Sequence, residues 1–280
     1  MRCAIMLLWL LGACAERHEA APRAEALAPR LVSLHDVTTE IVVAVGAADH
    51  FVGVAELVDV TPDVERAVAH VPRVGSLESI LALRPDVVVG FGVVAEQDPE
   101  LVRRLRERGV DVHLDDPSTV EDVYAMTRAV AQRAGARLAG ERVSTTLRAR
   151  IDRARASAAP ARPLRVFVYD CCDPPFTAGG RTVLNGLIER AGGHNVFAEL
   201  DAGWTHVSWE EVVARRPELV VLHSYRYEGQ GDLADKRRML RALPTLSNLP
   251  TAVLPLGCSI GGLRSAEGLE RLRTAMGASS

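Results

Sequence analysis

The sequence predicts an α/β fold of two Rossmann-like lobes, each built on a mostly parallel sheet, joined by a single long bridging helix. Three observations carry this expectation. The stretch Ser76-Leu77-Glu78-Ser79-Ile80-Leu81-Ala82-Leu83-Arg84-Pro85-Asp86-Val87-Val88-Val89 returns as Ser208-Trp209-Glu210-Glu211-Val212-Val213-Ala214-Arg215-Arg216-Pro217-Glu218-Leu219-Val220-Val221, so the chain holds one module twice. Both copies end in a short, continuous apolar run, the pattern of a strand covered on both faces. Finally, Ala136 to Ala158 contains one Gly and no Pro. As an unbroken helix it would extend about 35 Å, roughly the width of a domain.

Within each module Ser and Glu open a helix and Arg-Pro ends it, because proline cannot continue the helical ladder and biases its predecessor away from αR. The remaining elements follow in order. Leu31-Val32-Ser33-Leu34 reads as a first strand; Asp36 or Thr38 caps a helix that includes Glu40 to Val45 and stops at Gly46. Phe51 to Val54 is a second strand, the first module supplies the third, and Val110 to Leu114 is the fourth. Helices run from Leu101 to Arg108 before Gly109 and from Val120 to Arg133 before Gly135. After the bridging helix come a strand at Leu164 to Tyr169, a helix at Arg181 to Ala191, the second module, a strand at Thr251 to Leu254 and a final helix at Ala266 to Met276.

The chain has 280 residues, 48% hydrophobic and 25% charged, enough to bury two cores. A net charge of −3 and 4% aromatic residues give neither the electrostatic footprint nor the stacking surface that nucleic acid requires. At the start, Met1-Arg2, a brief apolar stretch from Cys3 to Leu11, and Leu11-Gly12-Ala13-Cys14 read as an export signal. Two versions stay open: a lipobox with Cys14 as the lipidated first mature residue, or ordinary cleavage near Ala13 or Ala15. The stretch is about half of the roughly 20 residues a membrane-spanning helix needs, so membrane contact is expected through a lipid anchor only. The expected division is a signal at 1–13, a tether at 14–29, an N-terminal lobe at 30–135, an interlobe helix at 136–158 and a C-terminal lobe at 159–280.

Arg30-Leu31-Val32-Ser33-Leu34 with Thr39-Glu40, the Leu83-Arg84-Pro85-Asp86-Val87-Val88 module, the bridging helix, and Ala191-Gly192-Gly193-His194-Asn195-Val196-Phe197 followed by Val207-Ser208-Trp209-Glu210 resemble a known family. It is that of the helical-backbone, class III solute-binding proteins of ABC importers, the receptors for cobalamin, haem and ferric siderophores. The resemblance implies a monomer of two lobes, a ligand held in the cleft between them, modest closure, delivery to a permease dimer, no catalysis and no required cofactor. It also implies a role for Glu78 and Glu210, each placed seven residues before its module's proline. One carboxylate on each lobe would meet an arginine of the permease, whose guanidinium fork binds carboxylates bidentately. The alternative is that both merely favour a helix N-terminus.

In open α/β sheets the ligand crevice lies beyond the carboxyl ends of the strands, so loops after strands supply the candidates. These are His35 and Asp36, Glu56, Phe91, then Cys171, Cys172 and Phe176, Trp204 ahead of the second module, Tyr225 with Arg226, and Cys258. Arg181 and Tyr227 are lesser candidates. Cys171, Cys172 and Cys258 admit three readings: a thiophilic site in which His35 adds a nitrogen ligand, a disulfide from Cys258 to either member of the pair, or inert buried thiols. A bond between the two neighbours is disfavoured as strained. No Gly-x-Ser-x-Gly or His-Glu-x-x-His motif points to an enzyme, and a thiol oxidoreductase lacks its Cys-x-x-Cys spacing. The expected ligand is a metal chelate, a corrinoid or other tetrapyrrole ahead of a siderophore. The alternative is a bare thiophilic ion such as Cu(I) or Zn(II) held by Cys171, Cys172 and Cys258.

Overall fold

The structure, a computed structural model, describes residues 28–156, 162–225 and 233–278. The first half runs β1 (Leu31–Ser33), α1 (Asp36–Ala44), β2 (Phe51–Val54), α2 (Pro62–Ala67), α3 (Leu77–Ala82), β3 (Val87–Phe91), α4 (Val93–Gln97), α5 (Pro99–Glu107), β4 (Asp111–Asp115) and α6 (Val120–Arg133). Helix α7 (Arg137–Ala156) carries the chain onward. The second half runs β5 (Leu164–Tyr169), β6 (Phe176–Ala178), α8 (Val183–Ala191), β7 (Gly193–Asn195), β8 (Trp204–His206), α9 (Trp209–Ala214), β9 (Leu219–Ser224), α10 (Leu233–Arg241), β10 (Thr251–Pro255) and α11 (Ser265–Ala278).

The strand orders are β2-β1-β3-β4 and β10-β9-β5-β7, all pairs parallel. Read from opposite ends they are the same sheet, with β1 matching β5 and β3 matching β9. The module strands β3 and β9 lie in the middle of their sheets, which is why both are largely apolar, with only His223 and Ser224 at the end of β9 polar: β3 is buried along its whole length, β9 along all but Ser224. Each module helix opens with a serine cap. Ser76 accepts from the Ser79 N–H and Ser208 from the Glu211 N–H, each answered by the partner side chain.

Helix α7 packs most heavily on α6. Gly140 allows the close approach: a β-carbon there would stand 2.3 Å from that of Ala131. One apolar core runs from Leu31, Ile41 and Val89 through Met126, Val130 and Ile151 to Leu184, Leu254 and Met276, so the two sheets are tied through shared helices; a further core lies in each half. Among the described residues no helix is long and apolar enough to cross a membrane.

Several elements depart from expectation. His35, rather than Asp36 or Thr38, caps α1, its Nδ1 accepting from the Val37 N–H at 3.2 Å. The long helix begins one residue inside the expected limit, and Gly193–Asn195 forms an edge strand. Helices α2, α4 and α10 and the antiparallel pair β6-β8 were not anticipated.

Candidate functional site

A cavity of about 760 Å³ opens at the carboxyl ends of the strands and is walled by both halves. Its first wall follows from strand adjacency. Because β1 and β3 are parallel neighbours with Ser33 opposite Val89, the residues just beyond them meet: the His35 and Phe91 rings stack at 4.0 Å, tilted by only 3°. Val93, Glu96, Gln97, Asp116 and Ser118 extend this wall. Burial pushes the His35 imidazole down from its ordinary pKa, against the opposing charge of Asp36, and keeps it neutral at pH 7. With Nδ1 accepting from the backbone, the proton of the neutral ring resides on Nε2. His35 therefore offers the cavity a donor, not a ready metal ligand.

The second wall rests on the β6-β8 pair, in which Ala178 faces Trp204. The Phe176 and Trp204 rings lie 6.2 Å apart at 27° and both line the cavity, together with Arg181, Thr182, Ser259 and Ile260. Behind Trp204, at 5.2 Å, is the fully buried His223. Its Nδ1 lies 2.6 Å from Asp170 Oδ1, which also accepts from the Tyr225 hydroxyl. Burial opposes the ionised form of Asp170, but these hydrogen bonds outweigh it and hold the carboxyl below the usual carboxylate range. Lys236, also buried, donates to the His223 carbonyl at 2.6 Å.

Of the expected residues, the fold brings His35, Phe91, Phe176, Trp204 and Arg181 to one cavity. It takes others away. The Asp36 carboxylate accepts from the Val58 and Asp59 N–H groups at 2.7 to 3.2 Å and serves the loop after β2. Glu56 is exposed outside the cavity lining. Tyr225 stands in the layer behind Trp204; burial and the Asp170 charge push its phenol well above the ordinary value, which disfavours the phenolate that ligates haem iron. Arg226, Tyr227, Cys14 and the whole of 1–27 lie outside the described residues.

The cysteine expectations are corrected. Cys171 and Cys172 are bonded to each other, while Cys258 is a free, fully buried thiol against α11 whose pKa is pushed up to about 12 by burial. None of the three lines the cavity. Among the described residues no cluster of three or more His, Cys, Asp or Glu is arranged to hold a metal ion. A disulfide and a protonated buried thiol supply no thiolate, so the three-cysteine site for a bare thiophilic ion does not form. Asp116, Ser118 and Thr182 escaped the sequence reading; the rule that ligands gather after parallel strands already pointed to the first two, beyond β4.

Glu78 and Glu210 each occupy the second position of a capped helix and are exposed. Capping is done by Ser76 with Ser79 and by Ser208 with Glu211, so neither glutamate is needed for it.

Two parallel sheets of one topology, tied by shared helices and enclosing one cavity with a wall from each, define a two-lobed ligand-binding protein. A family model for periplasmic binding proteins matches residues 31–253, and the chain belongs to that family. Its members are binding proteins rather than enzymes. The chain is 28% identical over 197 residues to the vitamin B12-binding protein of Yersinia pestis, spanning 70% of this chain and 69% of that one. It superposes on a periplasmic binding protein from Veillonella parvula with a TM-score of 0.79 at 21% identity, covering 89% and 91% of the two chains. With the periplasmic heme-binding protein RhuT of Roseiflexus sp. RS-1, in apo form, the TM-score is 0.75 at 25% identity, over 90% and 99%.

Proposed function

We propose that this chain is the extracytoplasmic receptor of an ABC importer and that it captures a planar metal chelate between its lobes. One observation carries the reading: each lobe contributes an aromatic pair to the same cavity, His35 with Phe91 and Phe176 with Trp204. Rings on both sides suit a flat macrocycle, which gains stacking and apolar burial on both of its faces. The volume falls within the range of roughly 300 to 1,000 Å³ usual for small-molecule sites.

Charge orders the candidates. The first wall carries Glu96 and Asp116, and the Arg181 of the second is already paired with Asp201 at 3.3 Å. Such a lining opposes the propionates of haem and the anionic groups of many siderophores. It suits the amide-bearing periphery of a corrinoid, whose N–H groups donate to carboxylates. The similarity to a vitamin B12-binding protein supports the same choice.

Delivery in this reading runs through Glu78 and Glu210, one exposed carboxylate per module, set to meet arginines on a two-fold permease. Export relies on residues 1–13, with Cys14 as the lipid attachment. The lobe division at 30–135 and 159–280 and the monomeric state belong to the same proposal.

The test is a titration of the purified chain with cyanocobalamin, haemin, a ferric hydroxamate, Cu(I) and Zn(II), followed by absorbance and tryptophan fluorescence. Quenching by cyanocobalamin that is still reached at saturating ligand, at whatever affinity, after replacement of Cys171, Cys172 and Cys258 by serine is the expected result. A response to the bare ions alone, abolished by those replacements, overturns it.

A further inference from the structure

The Cys171–Cys172 bond has no evident task in stability. A disulfide stabilises chiefly by closing a loop in the unfolded chain, and the gain shrinks with the loop; between sequence neighbours almost nothing is closed. Its effect must be local, on the turn from Asp170 to Phe176. That turn is unusually well connected. At its base the Asp170 N–H donates to the Phe176 carbonyl at 3.0 Å and the Phe176 N–H to the Cys171 carbonyl at 2.9 Å. Phe176 is itself a cavity wall, and Asp170 holds His223, on which Trp204 packs. Both aromatic residues of the second wall therefore hang on this turn. Its outer end reaches the opposite way: Asp173 Oδ1 accepts from Trp209 Nε1 at 3.0 Å, next to Glu210 on the exposed start of α9.

Cys172 is exposed, and its φ of +75° lies in the left-handed region that residues with a β-carbon avoid. The exposure of the residue leaves its side open to an incoming thiolate, and a released Cys172 has reason to leave its present conformation.

We propose that Cys171–Cys172 is a thiol-exchange site through which a dithiol reductant loosens the second wall of the cavity and the start of α9. The thiolate of the reductant attacks Cys172 Sγ, forming a mixed disulfide and expelling the Cys171 thiolate, which takes up a proton. The second thiol of the reductant then displaces Cys172, which is protonated in turn. The protein pair gains two electrons and two protons, and the reductant leaves as its own disulfide. The link to ligand affinity rests on the function proposed above; the loosening of the turn does not.

The experiment compares the folded chain before and after dithiothreitol, with alkylation and mass analysis reporting the state of Cys171 and Cys172. Amide hydrogen exchange is read across the molecule, and cyanocobalamin is the binding probe. Reduction is expected to speed exchange in 169–178 and 204–214 while leaving the first sheet unchanged, and to weaken cyanocobalamin binding roughly tenfold or more. A Cys171→Ser, Cys172→Ser variant should match the reduced form and ignore dithiothreitol. A bond that resists reduction in the folded protein, or exchange that does not change, overturns the proposal. Equal affinity of both forms for cyanocobalamin overturns the link to the cavity. Binding to neither form, with faster local exchange on reduction, upholds the thiol-exchange site and counts against the ligand assignment instead.

Discussion

Arg30 and Arg165 hold the same post in the two halves of the chain. The Arg30 N–H donates to Asp86 at 2.8 Å and its Nε to the Arg84 carbonyl at 3.1 Å; the Arg165 N–H donates to Glu218 at 3.0 Å and its Nε to the Arg216 carbonyl at 2.7 Å. Arg84 and Arg216 share the left-handed backbone as well, with φ of 45° and 49°. The repeated Arg-Pro-acid sequence is thus a joint. It turns the chain from the module helix into the central strand, and its acid pins the neighbouring strand by the backbone.

That joint has an acid-sensitive member. The hydrogen bond from Arg162, with the Arg165 N–H, lowers the Glu218 carboxyl from its ordinary value to about 2. A depressed carboxylate contributes stability that is present above its unfolded pKa and lost as pH falls through the folded one. Unfolding followed by denaturant from pH 5 down to pH 2 should show falling stability in the native chain. Glu218→Gln should reduce that slope; an unchanged slope refutes the assignment.

Glu40 has the opposite sign. Buried at the junction of the halves, 3.3 Å from Arg264, which also bonds Asp59 at 2.7 Å, it is raised by burial to about 7 despite the arginine. A raised carboxyl contributes stability that is complete below its unfolded pKa of about 4.5 and lost as pH climbs to about 7. The loss is on the order of 1 kcal/mol per pH unit in that window. Glu40→Gln should flatten the stability profile between pH 4.5 and 7, measured by the midpoint of thermal or denaturant unfolding.

The aromatic walls make separate contributions to binding. Trp204→Ala and Phe91→Ala should each weaken cyanocobalamin by roughly 1 kcal/mol, about fivefold, from lost stacking. Trp204→Ala should in addition remove most of the fluorescence response. Equal affinities in calorimetry would place the ligand elsewhere.

Docking separates from binding. Glu78→Arg with Glu210→Arg should abolish uptake in a reconstituted importer while leaving the dissociation constant of the ligand unchanged, because neither residue lines the cavity. Loss of affinity in the double variant would mean that these positions serve the fold or the site.

At the crossing of α6 and α7, Gly140→Val should destabilise the chain by about 1 to 3 kcal/mol through overpacking against Ala131. A native unfolding midpoint in that variant would show that the helices are not in contact there.

Much of the architecture was legible because local rules agreed. The module pairs a capped helix with a proline stop and a β-branched strand, and β3 and β9 form as expected. Helix α10 was missed because Leu233 to Arg241 is largely charged and buries little beyond Lys236 and Leu240. The β6-β8 pair was missed because three-residue strands carry no readable period. Among site residues, the rule of loops after parallel strands found His35 and Phe91, since adjacent parallel strands bring their ends together whatever the intervening sequence.

By itself the sequence determined the duplication, the two α/β halves, the long helix between them and the paired glutamates, all of which follow from patterns within a few turns of chain. Only the tertiary structure decided the cysteines and the cavity. Whether Cys171 bonds Cys172 or Cys258, and whether Asp36 faces a ligand or the Val58 and Asp59 amides, depends on which distant backbone lies within a few ångströms. Spacing along the chain does not encode such proximity; the packing of both halves around one core does.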